Sequence, residues 1–240
     1  MLWCCVENVT WLLMEGIKNL LKQQNEISPK QWPPAGIKPY YCDNSVCIIH
    51  GDCREIVPQL GRFDLLLTDP PYGLGKKLHD GGTWSTNPIY DAMLEWDINI
   101  PTTEQLLSLR SFCEQAIIWG GNYYQFPPSR CWLIWRKQNK MPTLADFEMA
   151  WTGFDANARE FTEISNPDGK RFHPTQKPLS LFKWCISKAY PAKTILDPFA
   201  GSGTTGRAAK DLNKTAVLIE REERYCEIAA DRMSQEVLAL

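Results

Sequence analysis

No stretch of this 240-residue chain is apolar and long enough to cross a membrane as a helix, so a bundle of membrane-spanning helices is excluded. Its nine cysteines are an odd number, form no Cys-x-x-Cys pair and include the adjacent Cys4 and Cys5. Neither a zinc cluster nor a disulfide framework is expected from that spacing, no metal is expected, and a reducing cytoplasm suits the composition best. There is no surplus of positive charge either. The formal net charge is −2, whereas whole-chain basicity is the usual footprint of a nucleic-acid partner. No internal repeat is present, and Glu7 is the first charged side chain, where a secretory leader would begin with basic residues.

The length suffices for a full core, and one α/β domain is the natural expectation. Apolar runs near Val46, Leu65, Ile117, Leu133, Ile195 and Val217 alternate with helical patterns, which predicts a doubly wound, mostly parallel sheet. Ahead of it, Leu2, Val6, Val9, Leu13, Ile17 and Leu20 recur at helical spacing, and residues 28–39 are rich in proline. Residues 1–39 are therefore expected to form a helix and a linker, and residues 40–240 the main domain. The leading helix suits packing or association, including pairing of two copies of the chain.

The sequence Asp69-Pro70-Pro71-Tyr72 follows the run Leu65-Leu66-Leu67. It therefore falls at the carboxyl end of a buried parallel strand, where open α/β sheets place their ligands. Proline fixes the backbone and leaves the carbonyls as acceptors. A carboxylate, rigid carbonyls and an aromatic face in one stiff loop suit a planar amino-substituted ring: Asp69 and the Pro70 carbonyl accept its two N–H bonds while Tyr72 stacks on it. A nucleobase meets that description. Taken alone, the tetrapeptide suits an ordinary Asp-Pro turn equally well.

A second motif lies downstream. Thr194-Ile195-Leu196 leads into Asp197-Pro198-Phe199-Ala200-Gly201-Ser202-Gly203-Thr204-Thr205-Gly206, and the next strand, Ala216-Val217-Leu218-Ile219, ends in Glu220. A strand, a glycine-rich turn and a helix, followed by an acid that accepts from ribose hydroxyls, predict a cofactor containing a nucleoside. By spacing alone this is also an NAD site, although only one strand and one helix follow Gly206. Arg207-Ala208 after Gly206 does not continue a P-loop.

The two motifs together closely resemble the amino-group DNA methyltransferases that use S-adenosyl-L-methionine. In particular they resemble the permuted subgroup, in which the catalytic motif precedes the cofactor motif. The resemblance spans residues 38–232 and includes, in the family's order, His50-Gly51-Asp52, the tetrapeptide, Ala116-Ile117-Ile118-Trp119-Gly120-Gly121-Asn122, Cys131-Trp132-Leu133-Ile134-Trp135, His173-Pro174-Thr175-Gln176-Lys177-Pro178 and the glycine turn. It implies a seven-stranded sheet with one antiparallel strand, for which residues 147–154 are the best candidate. It also implies methyl transfer to the N6 amino group of an adenine flipped out of double-stranded DNA, in a bacterial cell or a phage-infected host. Asp69, Pro70, Pro71 and Tyr72 become the catalytic residues. Asp197, Pro198, Phe199, Ala200, Gly201, Ser202, Gly203 and Thr204 are expected at the methionine part of the cofactor, Glu220 at its ribose, and Asp52 and Cys53 near its adenine. Lys177, with a helix beginning at Pro178, is expected at its carboxylate.

Two stretches rich in basic side chains are candidate phosphate tracks, one with Arg130, Arg136, Lys137 and Lys140, the other with Lys170, Arg171, Lys177, Lys183, Lys188 and Lys193. Lys183 and Lys188 equally suit a solvated helix face. The loop over residues 73–101, with Lys76 and Lys77, is expected to face DNA. In this family Ser at the first motif position usually accompanies cytosine methylation, so Asp69 favours adenine. Other classes remain open on the residues alone: an N4-cytosine methyltransferase, an NAD-dependent oxidoreductase, or a non-catalytic DNA-binding module that has kept the fold.

Overall fold

The computed structural model describes residues 36–73, 100–139, 145–165, 176–189 and 191–235. The helix expected over residues 1–27, nearly all of the loop at 73–101, His173 and Lys140 lie outside the described residues.

Among the described residues, nine strands form one sheet: β1 (Tyr41–Cys42), β2 (Val46–His50), β3 (Phe63–Thr68), β4 (Cys113–Trp119), β5 (Trp132–Lys137), β6 (Phe147–Thr152), β7 (Arg159–Glu163), β8 (Thr194–Asp197) and β9 (Thr215–Glu220), in the order β1-β2-β9-β8-β3-β4-β6-β5-β7. The inner five, β2 to β4 in that order, are mutually parallel. β6 runs antiparallel to both β4 and β5, as expected for residues 147–154. The expected seven strands are present, and two edge strands add to them. β1 pairs antiparallel with β2, and β7 pairs parallel with β5. Cys42 and Cys47 face each other in the β1·β2 register and are joined as a disulfide, a pairing that cysteine spacing did not suggest. The other described cysteines are buried thiols.

The described helices are α1 (Cys53–Ile56), α2 (Thr103–Arg110), α3 (Leu179–Lys188), α4 (Thr204–Asp211) and α5 (Glu223–Ser234). Successive strand side chains point to opposite faces, and here both faces are covered, which is why the central strands read as unbroken apolar runs. Leu65, Leu67, Ile117 and Leu218 pack on one face with Leu181, Phe182, Ala208 and Ala229 of α3, α4 and α5. Leu66, Ile118, Leu196 and Val217 pack on the other with Ile56 of α1 and with Leu106 and Leu109 of α2.

Polar contacts set the register of β3 against β8 at both ends. At the amino end the Asp64 carboxylate accepts from the backbone N–H groups of Lys193 at 2.6 Å and Thr194 at 2.9 Å. At the carboxyl end the Thr68 hydroxyl donates to Asp197 Oδ1 at 2.7 Å. Asp69 and the glycine-rich turn are thereby held side by side.

Leu66 is fully buried between Ala116 and Leu196 in the ladder. Leu66→Ala is therefore expected to lower the unfolding free energy by about 2–5 kcal/mol, the usual cost of such a truncation with its residual cavity. Urea denaturation measures it.

Candidate active site

A cavity of about 390 Å³ opens beyond the carboxyl ends of β2, β9, β8 and β3, within the size range of small-molecule sites. Asp52 and Cys53 follow β2, Glu220 ends β9, the turn from Asp197 follows β8, and Asp69 to Tyr72 follow β3; all line this one cavity, as does Lys177.

At one end the glycine turn and Glu220 are built as a unit. Glu220 Oε2 accepts from the Gly201 backbone N–H at 2.7 Å and Oε1 from the Glu222 N–H at 2.9 Å, while the Ala200 N–H donates to the Ile219 carbonyl at 3.0 Å. Gly201 and Gly203 adopt φ of +50° and +79°, a region that glycine enters without strain. A Cβ at Gly201 would point into open space, whereas one at Gly203 would lie 2.9 Å from the Ala229 Cβ. The turn therefore packs closely against α5 on one side and leaves room for a ligand on the other. Arg232 of α5 reaches beneath it, donating to the Ser202 carbonyl at 2.6 Å and to the Ser202 hydroxyl at 3.1 Å. Nothing in the sequence marked Arg232, because a lone arginine on an amphipathic helix reads as a solvent-facing charge.

Two carboxylates expected at the cofactor already have donors within the chain. Asp197, 2% exposed, accepts from Thr68, Thr205 and the Phe199 N–H. It knits β8 to β3 and α4, and the turn meets the cavity chiefly through its backbone and Ser202 and Thr204. Burial pushes the Asp197 carboxyl up to about 6, against the pull of those three donors. Asp52 caps α1 by accepting from the Arg54 N–H at 2.8 Å and pairs with the Arg54 guanidinium, Nε to Oδ1 at 2.9 Å; that pairing holds its carboxyl below the usual range. Burial pushes Glu220 upward, opposed by its backbone donors.

At the other end Asp69 is held from both sides. Its Oδ1 accepts the Tyr72 hydroxyl, and its Oδ2 lies 2.6 Å from Lys177 Nζ. Lys177 is 4% exposed and bonds Glu148 Oε2 at 3.0 Å as well; Glu148 Oε1 in turn pairs with Lys137 at 2.6 Å. Lys177 was expected at the cofactor carboxylate. Its ammonium is instead committed to two protein carboxylates, Asp69 after β3 and Glu148 on β6. Burial is the largest influence on each group of this cluster. Asp69, sharing a single lysine, is raised; Glu148, holding two, is drawn down to about 2; Lys177 is raised by its two carboxylates.

The tetrapeptide's aromatic is likewise engaged. The Tyr72 ring stacks on Tyr123 at 5.0 Å, and Gly120, at φ +67°, lies so close beneath it that a Cβ would come within 2.0 Å of the ring. The Tyr124 hydroxyl donates to the Pro71 carbonyl at 2.6 Å.

The candidate phosphate track changes most. Lys137 is 8% exposed and bound to Glu148, so it does not meet a phosphate. Arg136, on the other face of β5, is half-exposed and pairs with Glu160 at 2.7 Å. Arg130 pairs with Asp155, Lys183 pairs with Asp211, and Lys188 lies over the Trp184 ring. Lys76 and Lys77, like Lys140, lie outside the described residues.

A mostly parallel sheet with a carboxylate-anchored glycine turn at one end of a cavity, and a carboxylate in an ion cluster at the other, defines an α/β enzyme that sets a nucleoside-containing cofactor beside an acceptor group. Comparison with known proteins narrows that class. Residues 127–231 match the family model described as DNA methylase. The Type II methyltransferase M.HinfI of Haemophilus influenzae is 44% identical over 78% of this chain and 68% of its own length. M2.MboI of Moraxella bovis, also a Type II methyltransferase, is 29% identical over 82% and 91%. Among solved structures the M1.HpyAVI–SAM complex has a TM-score of 0.53 at 23% identity, covering 79% of this chain and all of that one. The cytosine-N4-specific PvuII DNA methyltransferase has a TM-score of 0.57 at 16% identity, covering 85% and 92%. The chain belongs to the DNA methylase family.

The Asp197 shift carries a sign that can be measured. A carboxyl whose folded value is raised binds its proton more tightly in the native state, so stability falls as pH rises from the unfolded value, 3.8, through about 6. Asp197→Asn removes that titration. Between pH 8 and pH 4 the unfolding free energy of the parent should rise relative to the variant by about 2–3 kcal/mol. Denaturation series at both pH values check it.

Proposed function

We propose that this DNA methylase transfers a methyl group from S-adenosyl-L-methionine to the exocyclic N6 amino group of an adenine displaced from double-stranded DNA. The observation that carries the reading is the single cavity joining Asp69 to Glu220. The residues present fit the cofactor. Gly201 leaves room for close approach, Glu220 offers lone pairs beyond those its backbone donors use, and Cys53 and Asp52 close the far end. Bound there, the cofactor supplies a methyl group already activated on a sulfonium, so no covalent enzyme intermediate is needed.

The chain's own residues act on the base. An adenine amino group is a poor nucleophile because its lone pair is delocalised into the ring. Asp69 Oδ1 and the Pro70 carbonyl accept its two N–H bonds, which favours a tetrahedral nitrogen with a localised pair. Once methylated, the amino nitrogen would have one proton to shed, and the raised affinity of Asp69 for a proton suits it as the acceptor. The Tyr72 hydroxyl must leave Asp69 Oδ1 for the amino group to enter, and its ring is then available to stack on the base. Displacing a paired base costs a few kcal/mol, offset by such contacts. Adenine is favoured over cytosine by Asp69 at the first motif position. Arg136, with Lys76, Lys77 and Lys140, is the candidate phosphate contact.

Asp69→Ala is expected to abolish tritium transfer from labelled S-adenosyl-L-methionine to duplex DNA while calorimetric cofactor affinity persists; turnover above about a tenth of the parent's would overturn the assignment. Chromatography of nucleosides from the methylated DNA should show N6-methyladenine, and N4-methylcytosine would redirect the reading to cytosine.

Glu220→Ala should weaken cofactor binding by about 1–3 kcal/mol with DNA affinity in its absence unchanged. Unaltered cofactor affinity would remove Glu220 from the ribose.

A further inference from the structure

Glu148 belongs to neither motif. It sits at the start of β6, paired in register with Trp135, yet its carboxylate joins both buried lysines, Lys137 at 2.6 Å and Lys177 at 3.0 Å. Lys177 in turn lies 2.6 Å from Asp69 Oδ2. The four groups form a chain, Lys137–Glu148–Lys177–Asp69, with two charges of each sign. The Lys177 side chain is 4% exposed and the Lys137 side chain 10%, while the two carboxylate side chains keep about a fifth of their surface open, at 23% for Glu148 and 19% for Asp69. Such clusters are costly to desolvate and are weak stabilisers; an arrangement of this cost beside the acceptor site is a reason to look for a role in the chemistry.

We propose that Glu148 is a positioning residue for methyl transfer: it anchors Lys177 between two carboxylates, so that Asp69 Oδ2 is held and Oδ1 is left for the incoming amino group. The inference rests on the assignment of Asp69 as the acceptor of that group. Lys177 drawn wholly to Asp69 would make it a weaker base. Lys177 absent would leave Asp69 free to rotate and to take a proton early. Glu148 sets the balance by drawing on Lys177 and by repelling charge on Asp69. Among the described residues, the other charged or titratable groups around this cluster include Tyr72 on Oδ1, Tyr124 on the Pro71 carbonyl, Asp197 across Thr68, the Cys185 thiol of α3 near Lys177, and Glu163 opposite Lys137 in the β5·β7 register.

Single-turnover methyl transfer to duplex DNA, followed from about pH 5 to 9, tests this with the full chain. Glu148→Gln should lower the rate at least about tenfold at neutral pH, leave calorimetric affinity for S-adenosyl-L-methionine and DNA unchanged, and move the acid limb of the profile to lower pH. Lys177→Met should move that limb to higher pH. A merely structural part for Glu148 would lower the amount of active protein without displacing the limb. Limbs that stay in place, limbs that move the same way, or a loss residing wholly in ligand affinity would overturn the proposal. If Glu148→Gln fails to fold, Lys137→Met probes the same chain from its far end. Glu148, released there, closes on Lys177 and withdraws it from Asp69, so the limb should rise; an unmoved limb overturns the proposal equally. Methyl transfer absent from the unaltered protein would instead overturn the functional reading, and the inference with it. Activity with unmoved limbs overturns the inference alone.

Discussion

A carboxylate at the end of a strand buried on both faces has to be held by opposite charge, and the arrangement around Asp69 follows from that constraint. Leu65, Leu66 and Leu67 are fully buried, so the chain delivers Asp69 out of a dry core into the cavity wall. A single lysine would neutralise it and also fasten it tightly. Dividing Lys177 between Asp69 and Glu148 loosens that hold, and Lys137 compensates the extra negative charge. The strand order serves this directly. Because β6 runs against its neighbours, its first residues lie at the edge where the parallel strands end, which brings Glu148 to the level of Asp69.

The two ends of the cavity hold their carboxylates by different means. Glu220 and Asp197 are satisfied by neutral donors, backbone N–H groups and threonine hydroxyls. Such bonds orient a carboxylate without cancelling its charge, and at Glu220 this suits the proposed contact with ribose hydroxyls. Asp69 is satisfied by an ammonium and a phenol, so its basicity depends on how far the ammonium is shared. On the proposed roles, one end serves recognition and the other adjustable basicity, and Thr68, bonded to Asp197 and preceding Asp69, ties them together.

Much of this was legible in the sequence, for physical reasons. Strands buried on both faces read as continuous apolar runs, and the motifs at their ends are local, so β2, β3, β4, β8 and β9 and the residues that follow them could be placed from the chain alone. β7 could not. Its segment, Arg159-Glu160-Phe161-Thr162-Glu163, is an edge strand with mostly exposed side chains and carries no hydrophobic signal. The ion cluster was illegible for another reason, since Lys177 and Asp69 are 108 residues apart and only the folded sheet makes them neighbours. A signal for Lys137 did exist. On a strand it shares a face with Leu133 and Trp135, so reading β5 with a period of two would have turned it into the core and away from phosphates. Glu148, alternating with Ala150 and Thr152 on β6, falls to the same argument.

The hydrogen bond from Tyr72 to Asp69 makes entry to the site a competition. The acceptor oxygen has a donor before any ligand arrives, and the phenol ring is stacked on Tyr123 with Gly120 directly beneath it. Whatever approaches gains only the difference between its own bond and the one it displaces. Water, which brings a donor but no flat surface, gains little by the exchange. A planar amine that offers an N–H to the carboxylate and a ring face to the released tyrosine gains on both counts. If Asp69 receives the acceptor as proposed, the resting site screens its visitors by chemistry before any step of the reaction begins, and idle solvent stays a poor rival for that carboxylate.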